Sequence, residues 1–192
     1  MPRSARLGLL ALIAVLALAP AAAGAAKTKK IKLAPRGATT LALDEGAAAA
    51  LQSLGIAVAP LKPARAGDAG IAFPITAGKL DAKTYAGDIK HSGGLSLTRG
   101  STRVDLRNFV INVDKAPDLT ARVGDARVSI LDLDLSDAKI TAKGRKLTIA
   151  GVKATLTDDA AGALNAAFST DAFQEGLEIG TATVSGRAAK RR

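Results

Sequence analysis

A period of two runs through most of this chain and limits what it can fold into. "IAFPIT" places Ile71, Phe73 and Ile75 on one face, and "LSLTRGSTRVDL" sets Leu95, Leu97, Val104 and Leu106 against hydroxyls and charges. Successive side chains of a strand point to opposite sides, so such runs read as half-buried strands. "RNFVINVD" continues with Phe109, Ile111 and Val113 inward. The inward phase slips by one between Leu106 and Phe109, which predicts a bulge near Arg107–Asn108. "DLTARV" and "ARVSILDLDLS", joined by Gly124–Asp125, read as a hairpin. "KITA", "KGRK" and "LTIAGVKATL" give another, and "LEIGTATVSG" a closing strand.

Two alanine-rich segments break the alternation. Asp44 can cap a helix over Gly46–Leu54, ended by Gly55 where a left-handed residue is needed. Thr157 or Asp158 caps a second helix over Asp159–Phe168, whose early carboxylates suit the positive helix start. Each helix lies between strand-like runs, "TTLAL" and "IAVAPL" around the first, "ATLT" and "LEIGTATVSG" around the second. This is a faint internal repeat of strand, acidic cap, helix and strand. Many short strands with two short helices predict a mostly β chain, an antiparallel two-layer sandwich-like fold.

The N-terminus reads as an address. Arg3 and Arg6 precede the uncharged run Leu7–Ala19, too short for a bilayer core of roughly 30 Å, and "AAAGAA" offers small-residue cleavage registers. Residues 1–26 are therefore expected to be a signal peptide, with an uncleaved anchor as the alternative because Leu7–Ala26 is apolar throughout. Residues 27–36 then form a basic tail, 37–186 the domain and 187–192 a second basic tail. The expected location is extracellular or in the cell envelope, with no transmembrane span after cleavage. Cysteine is absent, so no disulfide supports the fold and a hydrophobic core must hold it alone.

Cleavage before Lys27 removes two arginines and leaves +8 of the formal charge of +10. Such a charge draws a protein to anionic wall polymers or headgroups. Nucleic acid is not expected, since the cations are scattered along strands with no aromatic platform for bases. Catalysis has little raw material: no Cys, one His, and neither HExxH nor GxSxG. The chain is thus expected not to be an enzyme. "LDLDLSD" spaces Asp132, Asp134, Ser136 and Asp137 like calcium donors, but lacks the central Gly and distal Glu of an EF-hand, and alternation with leucine explains it as a wet strand face. Asp158 and Asp159 are accounted for by capping.

"YAGDIKHSGG" holds the single tyrosine, Tyr85, and the single histidine, His91. Ser92-Gly93-Gly94 is ordinary turn chemistry, so a hairpin with a histidine in its turn is one reading. The other is a ligand site, since tyrosinate binds ferric iron strongly and a neighbouring imidazole can take its proton.

The ordered series "HSGGLSL", "VDLRNFVINVD", "LTARV", "VSILDLDLSDA", "LTIAGVKATLTDDAAGALNAAF" and "FQEGLEIGTATV" resembles the HtaA domain of haem-uptake proteins on Gram-positive envelopes, over about Ile71 to Ser185. The resemblance implies a β-rich exported domain that holds haem through a tyrosine ligand and a supporting histidine. His91 lies in the matching hairpin and takes the histidine's place. The family's tyrosine belongs to an N-terminal segment whose counterpart here, "TTLALDEGAAAALQSLGIAVAP", has no aromatic residue; Tyr85 stands in another strand. The expected function is a secreted or envelope-associated HtaA-like domain that binds or relays haem, with His91 and Tyr85 as cofactor-binding residues. The alternative is a non-catalytic structural or adhesive envelope domain that engages anionic cell-wall polymers, and a soluble binder of some other apolar ligand is a third reading.

Overall fold

The computed structural model describes residues 29–190; the expected signal peptide lies outside the described residues. Fourteen elements follow one another: β1 (Lys30–Leu43), α1 (Glu45–Ser53), β2 (Ala57–Leu61), β3 (Arg65–Gly67), β4 (Gly70–Asp81), β5 (Gly87–His91), β6 (Gly94–Arg99), β7 (Thr102–Val113), β8 (Asp118–Val123), β9 (Ala126–Asp134), β10 (Lys139–Lys143), β11 (Lys146–Leu156), α2 (Asp158–Phe168) and β12 (Glu178–Ala188). The strand runs and both helices lie where alternation and capping placed them.

Their closure differs from expectation. The strands run β7-β5-β4-β1-β12-β11-β9-β8, and β8 pairs again with β7, so eight antiparallel strands close into a barrel. Four more strands extend it: β2 and β6 beyond β7, β3 on β4, and β10 on β11. The expected two-layer sandwich is therefore corrected to a barrel. Both arrangements bury one face of each strand, so alternation cannot separate them. What separates them is the pairing of Val110–Asn112 with Asp118–Thr120, which leaves no seam.

Two long hairpins are split. β5 and β6 both pair with β7, Gly87↔Val113 to Arg99↔Thr102, yet β5 also holds β4 while β6 leaves the barrel and pairs with β2. β9 and β10 share β11 in the same way, and β10 leaves at the opposite end. The predicted bulge is present: the β7–β8 register slips between Arg107 and Val110, and Asn108 has φ +51°. A second slip, between Leu119 and Thr120 on β8, lets the neighbours Ile130 and Leu131 both be buried.

The core fills the barrel with inward-facing Leu33, Leu80, Ile89, Ile111, Leu147, Ile149 and Val184, all buried. α1 follows the end of β1 and α2 the end of β11, so both helices sit at one end. The far end carries the β4–β5 turn and the start of β1. The basic stretch expected as a tail already forms β1, and Lys30 Nζ lies 3.5 Å from the Asp81 carboxylate. Among the described residues no helix is long and apolar enough to cross a membrane.

Candidate functional site

His91 ends β5 and points into the barrel, 4% exposed. Its neighbours explain the glycines that follow. A Cβ on Gly93, at φ +83°, would stand 2.6 Å from Ala64 N and 2.7 Å from Leu61 O, and one on Gly94 would collide with Leu106 O. The Gly-Gly pair thus serves the close passage of the β2–β3 corner and β7, where the split strand turns from β4 toward β2. His91 is not in a solvent-exposed turn.

The imidazole bridges three strands. Nδ1 lies 3.2 Å from the Phe109 carbonyl of β7, and Nε2 lies 2.7 Å from Thr39 Oγ1 of β1. A carbonyl only accepts, so Nδ1 carries the proton, Nε2 is the acceptor, and the Thr39 hydroxyl donates to it. Burial pushes the His91 pKa down to about 4, against a smaller upward pull from the Phe109 carbonyl. The ring is neutral at ordinary pH. Phe73 and Phe109 pack edge to face beside it, with centroids 4.9 Å apart.

Above Thr39, toward the helices, the barrel holds a cavity of about 110 Å³. Its walls include Leu41, Phe73, Leu97, Phe109, Leu131 and Phe173, and Leu51 of α1 and Leu54 at its C-cap also line it. Thr39 is the one lining residue with a polar side chain. The site is therefore an apolar chamber with one hydroxyl in its wall, backed by a neutral histidine. Thr39 was not singled out from the sequence. Its signal was there: in "TTLAL" it shares the inward phase of Leu41 and Leu43.

Tyr85 lies elsewhere. It occupies the β4–β5 turn at φ +59°, half-buried, with its N–H donating to Asp81 O at 3.1 Å. The length of β5, four residue steps or roughly 13 Å, separates it from His91. The structure does not bring the two together. Asp132 and Asp134 stand on β9, where Asp134 Oδ1 accepts from Ser136 N at 2.8 Å. Among the described residues no group of three or more His, Asp or Glu is placed to hold a metal ion. Thr157 caps α2, with Asp158 and Asp159 in its first turn.

No family model matches the sequence, and no curated protein matches it. Solved structures do match. The C-terminal domain of HtaA from Corynebacterium glutamicum superposes with a TM-score of 0.64 at 15% identity, over 82% of this chain and 99% of that one. A domain-swapped dimer of a histidine-to-alanine variant of the same domain gives 0.55 at 16% identity, over 77% and 96%. The fold that the ordered motifs resembled is thus the fold the chain adopts.

Proposed function

From a chain with the HtaA-domain fold, we propose a non-catalytic binding domain of the envelope that takes an apolar ligand into the helix-capped end of its barrel. The observation that carries this reading is the chamber itself: an apolar cavity inside an otherwise filled barrel, with a single hydroxyl held by a buried neutral imidazole. A cavity of about 110 Å³ is close to the ~150 Å³ of apolar cavities that admit benzene.

Haem is the ligand that the likeness to HtaA suggests, and a chamber of about 110 Å³ does not fit it. Pockets for ligands of that class measure roughly 300–1,000 Å³. No tyrosine, histidine or methionine lines the wall, and the His91 lone pair is already taken by the Thr39 hydroxyl. In this reading His91 holds the Thr39 hydroxyl from behind the wall and touches no ligand; Tyr85, at the far end, is not part of the chamber.

The test is a parallel titration with a benzene-sized aromatic probe and with haemin. Saturable one-to-one probe binding is expected, weakened at least about ten-fold by Leu51→Trp, which fills the chamber from α1. Haemin is expected to show no saturable Soret shift with the wild type, with Tyr85→Phe or with His91→Ala. Absence of saturable probe binding would sink the reading. A wild-type Soret shift abolished by His91→Ala would instead establish a chamber that opens for haem, and one abolished by Tyr85→Phe a site at the far end.

A further inference from the structure

The outer wall of the barrel carries rows of like charge that the fold has no use for. Register places Lys143 of β10 directly opposite Lys146 of β11, and Lys146 opposite Arg187 of β12. Farther along the same wall, Lys32 of β1 stands opposite Lys79 of β4. All five are exposed, and none has an ion pair or side-chain hydrogen bond among the described residues. Asp88 of β5 faces Lys79 in register without closing to an ion pair, and Lys30 is engaged by Asp81. Like charges directly opposite across strands destabilise a sheet.

A second row shows what the same fold does when cations serve structure. Arg107, Arg122 and Arg127 also lie in register across β7, β8 and β9. There Arg107 and Arg103 clasp Asp105 at 2.8 and 2.9 Å. Arg127 donates to Thr120 and to the Asn108 carbonyl. In the Lys143–Lys146–Arg187 row nothing comparable answers the charge.

Two residues along each strand runs a row of hydroxyls. Thr141 pairs with Thr148, and Thr148 with Ser185, on the same outward face. None of these hydroxyls has a side-chain hydrogen bond among the described residues. Three cations, which can only donate, stand at a strand spacing of about 4.8 Å, flanked by three hydroxyls free to donate as well. The matching partner carries an anion on every unit and several acceptor oxygens on each.

We infer that the outer wall formed by β10, β11 and β12 is a track for a linear phosphodiester polymer, with phosphates seated between the Lys143–Lys146–Arg187 row and the Thr141–Thr148–Ser185 row. Lys32 and Lys79 continue the positive potential around the barrel. A bilayer is disfavoured because the face offers no large apolar side chain to insert: Ile140, 40% exposed, points to the other side of β10. A nucleic acid is disfavoured because no aromatic ring lies there for bases to stack on.

The experiment is binding of a fluorescent poly(glycerol phosphate) to the whole chain by anisotropy over a salt series. One variant combines Lys143→Ser, Lys146→Ser and Arg187→Ser. Its control removes the same charge elsewhere, with Lys62→Ser, Arg65→Ser and Lys115→Ser. The row variant is expected to lose at least ten-fold in affinity and to flatten the salt slope, the control to stay within about two-fold. Thr148→Val is expected to weaken binding without changing the slope. Thermal melts guard against misfolding: the row variant should melt no lower than the wild type, because repulsion has been removed. Equal losses in variant and control would overturn the track in favour of net charge alone. So would tighter binding to anionic vesicles or to single-stranded DNA than to the phosphate polymer.

Discussion

The two helices close the same end of the barrel on the same plan, yet only one is fastened. α2 buries Ala160, Ala161, Leu164 and Phe168, and Arg99 from the β6–β7 hairpin lies 5.9 Å over the Phe168 ring. Its cap, Thr157, accepts from Ala160 N and also donates to the Ser129 carbonyl. Its exit is tied by Asn165, whose amide bonds the Phe173 backbone in both directions. α1 buries Ala47 alone; the carboxylate of its cap Asp44 bonds only its own first turn, and one backbone bond, Asp44 N–H to the Ile179 carbonyl, ties that cap to β12. The lesson is that cap and strand-to-helix order set where a helix forms, while large side chains on its inner face decide whether it is held. Where α1 presents alanine, the chamber remains.

The largest test of that contrast is Phe168→Ala, expected to cost about 3–5 kcal/mol by urea denaturation because a fully buried ring is removed. If Leu51→Ala on α1 cost as much, the two helices would be equally fastened and the comparison would fail.

Acid comes next, because His91 stands beneath the α1 side of the chamber. Its folded pKa of about 4 lies below the unfolded value of 6.5. The neutral ring's contribution is therefore fully present above pH 6.5 and is lost as pH falls toward 4, about 3 kcal/mol in all. A plot of stability against pH should show this slope in the wild type and lose it in His91→Gln.

The caps should differ by less. Thr157→Ala is expected to cost about 2 kcal/mol, since cap and strand contact go together, and Asp44→Ala about 1 kcal/mol or below. Paired denaturation curves decide it. Smallest is Leu51→Ala itself, under about 1 kcal/mol for a half-buried side chain. Hydrogen exchange should then find α1 amides opening locally while those of α2 follow global unfolding.

Alternation located the strand runs and the bulge beside Asn108, and capping chemistry located the start of α1 at Asp44, because each depends on neighbours a few residues apart. Barrel closure depends on Val110–Asn112 meeting β8 on one side and β5 on the other, and both a sandwich and a barrel satisfy the same local pattern. The site was legible to the same degree. His91 was visible as the lone imidazole, but its partner Thr39 lies on β1, 52 residues away, and reaches it only through the curvature of the sheet. Tyr85 is near His91 in sequence and distant in space because an extended strand lies between them.

β1 is held on one side by β4 and on the other by β12, the first strand against the last. During synthesis, then, the opening strand waits with a bare edge until the final one emerges, and no partial chain can complete the ring. Once it forms, the same pairing fastens the first and last strands of the domain side by side like a clasp.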